Sequence, residues 1–314
     1  MPRRLMLLVC LAAPLLAFAA DGPRLMDENT IGTRPDRRPK ATLRVDVNMA
    51  LVPVTVLDSH GRNVTGLEKE NFRVYDGPEP RPIVSFSQQD APITVGLVFD
   101  CSRSMREKFK TARTAPPMLY SRLNADDRSF LVTVSNRPRL VRGLTSNFED
   151  IQSALLFERP DGSTSLLDAV YLSLQELKKA PTPRKALIVV SDGGENDSRY
   201  TMRELTSLAA EADAQIFTIG LYQNPGSVEE VSGPDTLGKL ARASGGVDFV
   251  IGDVNDVKNA MSIIGTALHN EYVLGYYPPD HAQNGKVRRV KVQLMLPAGT
   301  PRVQVYARSR YYLP

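Results

Sequence analysis

Oxygen-bearing side chains follow two stretches of the chain that are typical of buried strands. Asp100, Ser102 and Ser104 form a D-x-S-x-S motif directly behind the apolar run 93–99. The other pieces are a Gly-Ser-Thr triplet ahead of a predicted helix and a Ser-Asp-Gly triplet behind a second apolar run, at 162–164 and 191–193. Ligands bind at the carboxyl ends of strands in open α/β sheets. Carboxylates and hydroxyls at such a point suit Mg²⁺ or a similar cation.

In this order, the motifs resemble the metal-ion-dependent adhesion site of the von Willebrand factor type A domain. The resemblance covers roughly residues 91 to 270 and implies five metal ligands, which are Asp100, Ser102, Ser104, Thr164 and Asp192. It also implies that the hydroxyls bind the ion directly and that the carboxylates often act through water. The flanks resemble those of secreted bacterial proteins in which a β-rich segment with a V-P-V-T-V run, here 52–56, precedes this domain.

This ligand set predicts binding chemistry, in which no bond is made or broken. Mg²⁺ takes six oxygens at about 2.0–2.1 Å and readily keeps waters. Five side chains leave one position that an Asp or Glu carboxylate of a protein partner can fill. Mg²⁺ is the predicted ion, and the sequence leaves Mn²⁺ and Ca²⁺ open. Helix capping is the alternative role for Ser104 and Thr164, since each lies at a predicted helix start.

Other residues near the motifs have two interpretations each. Glu195 and Asp197 either touch the ion or are solvated carboxylates of a loop. The polar segment 222–235 is a candidate for partner selection or simply a variable loop. Cys101 lies inside the first motif, either as a small buried apolar residue or as a redox-sensitive thiol.

The first 19 residues predict an export signal, because Arg3 and Arg4 precede an apolar stretch at 5–18 that ends in a small-residue cleavage pattern. A retained membrane anchor is the alternative. No other segment could cross a bilayer, so the mature protein is expected to be secreted, periplasmic or extracellular, without an integral membrane span. The whole chain has 39 basic and 35 acidic side chains. A nearly neutral mature protein gives no electrostatic argument for nucleic acid.

The chain predicts an α/β fold with a doubly wound, mostly parallel sheet and helices on both faces, flanked by a β-rich region. The predicted divisions are a signal peptide, a flexible leader, a β-rich segment, a type A domain and a second β-rich segment, at 1–19, 20–41, 42–90, 91–270 and 271–314. Neither β-rich segment is large enough to bury a core alone. Their strands are therefore expected to pair in one discontinuous sandwich, with the type A domain inserted between them.

Strands and helices alternate in the central region. The predicted strands are 93–99, 129–135, 138–142, 185–191, 214–221 and 247–251. The predicted helices are 104–123, 147–156, 165–179, 201–213, 234–244 and 254–269. A tight turn at 136–138 predicts that the third strand is antiparallel. Pro116 and Pro117 predict a kink or break in the first helix.

Three classes of function remain at this stage. The leading one is an exported, non-enzymatic, metal-dependent adhesion-type module. The second is a structural or assembly component of the cell envelope in which the metal site is incidental. The third is a metal-assisted hydrolase that uses Asp100 and Asp192. Nucleophile, nucleotide and zinc motifs are missing from the sequence, and His60, His269 and His281 lie in no recognisable motif.

Overall fold

The computed structural model describes residues 49–89, 91–223, 226–279, 287–297 and 299–312. The predicted signal peptide at 1–19 and the predicted leader at 20–41 lie outside these residues. Within the described part of the chain, no helix is long and apolar enough to cross a membrane.

The strands and helices are named in chain order. The strands are β1 (Ala50–Asp58), β2 (Phe72–Asp76), β3 (Glu79–Arg81), β4 (Ser85–Gln89), β5 (Ile93–Asp100), β6 (Arg128–Val134), β7 (Arg139–Thr145), β8 (Arg184–Ser191), β9 (Ala214–Leu221), β10 (Asp248–Ile251), β11 (Glu271–Tyr276), β12 (Val287–Leu294), β13 (Val303–Ala307) and β14 (Arg310–Tyr312). The helices are α1 (Arg106–Ala112), α2 (Pro116–Tyr120), α3 (Phe148–Phe157), α4 (Leu166–Lys178), α5 (Met202–Glu211), α6 (Val228–Ser244) and α7 (Val257–His269).

A six-stranded sheet of order β10-β9-β8-β5-β6-β7 forms the centre of the inserted region. Adjacent strands of this sheet are parallel except for β7, which pairs antiparallel with β6 after the short turn. Every residue of β5 and β9 is buried. Side chains of β5 enter two apolar cores, with Leu97 on one face of the sheet and Val98 on the other. The predicted doubly wound sheet is thus confirmed. Its strands are continuous apolar runs in the sequence because both faces of the sheet are covered.

Two helices differ from their predicted form. The predicted helix 104–123 is divided, because α1 ends at Ala112 and α2 begins at Pro116. Proline lacks the amide that would continue the helix, so Pro116 starts a new one instead. The helix predicted at 234–244 begins six residues earlier, and Pro234 lies inside α6. The segment 222–235 is therefore partly helical, which corrects its interpretation as a loop.

Two four-stranded sheets form a sandwich from both ends of the described chain. Their orders are β13-β1-β11-β4 and β14-β12-β2-β3. The predicted pairing is observed, since β1 lies between β11 and β13, and β2 pairs with β12. One apolar core joins the two sheets and includes Val54, Phe72, Tyr272 and Val290. The short strands β3 and β14 did not stand out in the sequence.

A charged network fixes the sandwich core. The buried carboxylate of Asp76 accepts hydrogen bonds from Arg288 Nη2 at 2.8 Å, Tyr311 Oη at 2.7 Å and Tyr276 Oη at 3.3 Å. Burial is the main reason that the pKa of Tyr311 is raised, to about 12. These contacts connect β2, β11, β12 and β14, which come from distant parts of the sequence.

The inserted region is fixed to the sandwich at the base of the central sheet. Gln89, at the end of β4, pairs with Glu271, at the start of β11. The buried Glu271 carboxylate also accepts hydrogen bonds from Thr55 at 3.1 Å, Gln215 at 2.7 Å and Arg184 at 2.7 Å. The opposite, carboxyl edge of the central strands is left for the predicted metal ligands.

Candidate metal centre

The predicted ligands converge where the strand order of the central sheet reverses. β5 lies between β6 and β8, and its last residue, Asp100, lies beside Ser191 at the end of β8. In open α/β sheets this switch point leaves a crevice in which ligands bind.

Asp100 is fully buried and held on both oxygens. Its Oδ1 accepts from the amide of Ser102 at 2.8 Å, and its Oδ2 accepts from Ser191 Oγ at 2.5 Å. Burial, with the nearby charge of Asp192 as the second cause, raises the pKa of Asp100 to about 6. Two carboxylates of like charge repel each other in a buried crevice, and this repulsion favours a cation between them. The sequence includes Ser191 in the Ser-Asp-Gly triplet but gives no sign that it holds Asp100.

The two serines of the first motif lie together. Ser102 Oγ and Ser104 Oγ are 3.1 Å apart, with Ser102 buried and Ser104 exposed. A 3-10 turn at Arg103–Met105 bends the chain where these two hydroxyls come within hydrogen-bond distance of each other. Helix capping does not explain them, because α1 begins after Met105 and no side chain caps either helical segment.

Thr164 reaches the same region in the loop between α3 and α4. Backbone hydrogen bonds of 2.8 Å from Asp161 N to the carbonyl of Cys101, and of 3.1 Å from Arg103 N to that of Gly162, join this loop to the first motif. Thr164 is buried, and its carbonyl accepts from Asn196 in the loop after β8 at 3.0 Å. The N-cap of α4 is Ser165, so the capping role considered for Thr164 is wrong as well.

Asp192 is fully buried and lies against an internal cation. Lys108 of α1 donates from Nζ to Asp192 Oδ2 at 3.2 Å, to Glu230 Oε1 at 2.6 Å and to the carbonyl of Leu221 at 3.0 Å. Lys108 and Glu230 are themselves 5% and 6% exposed, so this network is closed to water. Sequence reasoning missed both residues, because Lys108 reads as a surface residue of a helix and Glu230 lay in a predicted loop.

The loop that carries Asp192 is packed directly on α6. Gly193 has a φ of +76°, and a β-carbon at this residue would lie 2.3 Å from the Cα of Gly233. A β-carbon at Gly233 would in turn lie 2.1 Å from the carbonyl oxygen of Asp192. Glycine is therefore required at both positions. Because the two backbones are in direct contact, the Asp192 loop is held at one distance from α6.

The charges of this region suit a divalent cation. Its buried ionisable groups are three carboxylates and one ammonium, those of Asp100, Asp192, Glu230 and Lys108. With the carboxylates ionised, two negative charges remain unbalanced, and a buried net charge is strongly unfavourable. The described residues contain no group of three or more His, Cys, Asp and Glu side chains arranged to hold a metal. A cation at this position would therefore depend on the hydroxyls as well.

The neighbouring residues have structural roles. Glu195 accepts from the amides of Leu167 at 2.9 Å and Ser198 at 2.9 Å, so it orders the start of α4. Asp197 accepts from Ser163 Oγ at 3.3 Å. Cys101 is buried and donates to the carbonyl of Phe99 at 3.6 Å, and burial raises the pKa of its thiol. Of the two interpretations of Cys101, the small buried residue is the one that fits.

Comparison with known proteins gives the class of this fold. Residues 95–195 match the family profile described as von Willebrand factor type A domain. Proximal thread matrix protein 1 from the mussel byssus, with a zinc-occupied MIDAS motif, matches at a TM-score of 0.50 and 18% identity, over 62% of this chain and 49% of that chain. The vWF domain of the type V pili tip protein Mfa5 from Porphyromonas gingivalis matches at 0.47 and 11%, over 57% and 96%.

A von Willebrand factor type A protein from Catenulispora acidiphila matches at a TM-score of 0.48 and 13% identity, over 84% of this chain and 73% of that chain. No curated protein matches the chain in a sequence search. At such identities the similarity to the mussel protein shows a shared fold alone. The family profile therefore covers residues 95–195, and the mussel protein shares the fold of the central region.

Proposed function

We propose that the chain is an exported, non-enzymatic binding module whose type A domain, residues 91–270, holds Mg²⁺ through Asp100, Ser102, Ser104, Thr164 and Asp192. A protein partner would complete the ion with an Asp or Glu carboxylate. The observation that carries this proposal is that serine hydroxyls and two buried carboxylates, which repel each other, lie together at the switch point of the sheet. The N-terminal segment 1–19, with its signal-like pattern, supports export.

Each of these residues would have a distinct task. The bonds from Ser102 N and Ser191 Oγ fix Asp100, while Lys108 and Gly194 N fix Asp192. The hydroxyls are neutral, so an ion that they bind directly keeps most of its charge. Such an ion supplies an electron-poor position that favours an external carboxylate. That the mussel protein has zinc in its MIDAS motif supports a divalent ion at a motif of this kind.

A binding role is favoured over catalysis by the contacts of the described histidines and of the buried carboxylates. His60 lies in the turn after β1, and His269 contacts Asp127 at 3.1 Å near the base of the sheet. His269 thus lies at the amino ends of the central strands, opposite the predicted ligands, since Asp127 also accepts from the amide of Ile93 at the start of β5. Asp100 and Asp192, the two carboxylates that a metal-assisted hydrolase would use, are held by hydrogen bonds from Ser191 and Lys108, so neither is free to act as a general base.

The direct test is Mg²⁺ binding to the mature chain by isothermal titration calorimetry, with Asp100→Asn beside it. Asp161→Asn is the matched control, because Asp161 lies on the adjoining loop with a side chain that is 78% exposed. We expect binding to be lost in the first variant and kept in the second. Equal binding by all three proteins, or none by the unaltered chain, would refute the metal site.

A second experiment addresses the partner. The immobilised chain with Mg²⁺ is used to capture extracellular proteins, which are then eluted with EDTA. Capture that is lost both with EDTA and in Asp100→Asn supports the adhesion-type module. Capture that is unchanged by both favours an envelope assembly role in which the metal site is incidental.

A further inference from the structure

We propose that Lys108 is a specificity-determining residue of the metal centre: its ammonium lowers the affinity for divalent cations and selects Mg²⁺ over Ca²⁺ by occupying one oxygen of Asp192. The inference rests on the proposed function and extends it to a residue outside the adhesion motif. It also gives Glu230 of α6 the opposite effect, since Glu230 adds a negative charge to the same buried cluster.

The geometry defines what the ammonium does. A lysine ammonium has three N–H donors, and Lys108 places them on Asp192 Oδ2, Glu230 Oε1 and the carbonyl of Leu221. All three N–H donors have an acceptor, so the ammonium is held in this position. None of these acceptors belongs to Asp100, Ser102, Ser104 or Thr164. The ammonium therefore lies beside the predicted metal position and does not replace the ion.

Occupation of Asp192 Oδ2 restricts what Asp192 can offer to a metal. The other oxygen, Oδ1, accepts from Gly194 N at 3.3 Å and is the one left for an ion or its water. Ca²⁺ takes six to eight oxygens and often binds a carboxylate through both of them. Mg²⁺ is satisfied with one oxygen of a carboxylate and with retained waters. The contact thus disfavours Ca²⁺ more than Mg²⁺.

The charge of the cluster gives a second, independent effect. Lys108 and Glu230 are both buried, so their charges act on a nearby ion with little screening by solvent. Removal of the ammonium leaves the cluster with three net negative charges, whereas neutralisation of Glu230 leaves it with one net negative charge. Divalent affinity should follow this order, and removal of both charges should restore the balance of the unaltered protein.

The experiment measures Kd for Mg²⁺ and Ca²⁺ by calorimetry in Lys108→Met, Glu230→Gln and the double variant. Lys110→Met is the control, because Lys110 lies on the same helix and is exposed. We expect Lys108→Met to bind Mg²⁺ about tenfold more tightly or better, and Ca²⁺ to gain more than Mg²⁺. Glu230→Gln should bind about tenfold more weakly. The double variant should keep the Mg²⁺ affinity of the unaltered protein and gain Ca²⁺ affinity, because its net charge is unchanged and Asp192 Oδ2 is free.

The outcomes separate this inference from the proposed function. If the unaltered chain binds no divalent ion, the proposed function fails. If the unaltered chain binds Mg²⁺, but Glu230→Gln and the double variant have the same Kd as the unaltered chain for both ions, the inference alone fails. A merely structural role for Lys108 would lower stability without opposite shifts in affinity. Should Lys108→Met not fold, the double variant keeps the net charge of the unaltered cluster, and with Glu230→Gln it decides the question.

Discussion

The contact between the Asp192 loop and α6 predicts that Gly193→Ala is strongly destabilising. Gly193 has a φ of +76°, in the left-handed region where a β-carbon costs about 1–2 kcal/mol. The added carbon would lie 2.3 Å from Gly233 Cα and 2.8 Å from the carbonyl oxygen of Gly233. These are backbone atoms of a helix, so relief requires movement of the loop or of α6. Overpacking of this kind costs about 1–3 kcal/mol.

The two contributions together predict a loss of about 2–5 kcal/mol in the free energy of unfolding. Gly66→Ala is the matched control, because Gly66 has nearly the same φ, +78°, and no atom within 4 Å of an added β-carbon. The control should lose about 1–2 kcal/mol, from backbone strain alone. Urea unfolding followed by circular dichroism measures both variants.

The reasoning is refuted if the two variants lose the same stability within about 0.5 kcal/mol, the scale of ordinary surface substitutions. That result would mean that the loop and α6 are not in fixed contact. A loss of Mg²⁺ affinity in Gly193→Ala at normal stability would instead mean that the loop moves while the helix stays in place.

Three further predictions concern the rest of the fold. Asp76→Ala leaves the Arg288 guanidinium and two tyrosine hydroxyls without their acceptor, so urea unfolding should show a loss of about 3–5 kcal/mol, and a loss below 1 kcal/mol would contradict the network. Asp127→Asn should cost about 1–3 kcal/mol at pH 7. Although burial acts to raise the pKa of Asp127, hydrogen bonds from His269 and from backbone amides lower it below its usual 3.8. The contribution is therefore complete above that value and disappears as the pH falls through the lowered pKa, so unfolding curves that differ equally at pH 7 and at low pH would refute it. Removal of residues 271–314 should abolish the sandwich, and protected amides in β1 by hydrogen exchange would show otherwise.

The sequence predicted the central sheet well because its strands are fully buried. Continuous apolar runs such as 93–99 and 186–190 have no competing interpretation of similar length. The β-rich segments 42–90 and 271–314 could be recognised as well. Their pairing followed from the need of each segment for a partner, and the register became known only from the structure.

The start of α6 shows why boundaries are harder. A helix that begins at Pro234 agrees with the preference of proline for the first turn. The structure begins it after Ser227, whose Oγ accepts from the amide of Glu230 at 3.1 Å. The Ser-x-x-Glu spacing was a usable capping signal at this point. Proline within the helix was the stronger and misleading signal.

The candidate site could be predicted only in part. Its five motif residues each follow a strand or precede a helix, so local sequence indicates them. Lys108 contacts Asp192 across 84 residues and Glu230 across 122, and no local pattern brings these residues together. Pairing of buried charges is a property of tertiary structure. A lysine in a short helix gives no sign of it.

The two covalent connections between the inserted region and the sandwich lie side by side. β4 ends at Gln89 and β11 starts at Glu271, and these residues are partners in one antiparallel ladder. A mechanical load applied at the metal face would reach both strands at once and along their length. Both strands would be pulled in the same direction from the same end of their ladder, so the load would fall on the ladder between β11 and β1. Hydrogen bonds of an antiparallel ladder run perpendicular to the strands, so they would be sheared together and not opened one at a time. β11 is held in this way by β1 on its other side, which makes the attachment resistant to tension.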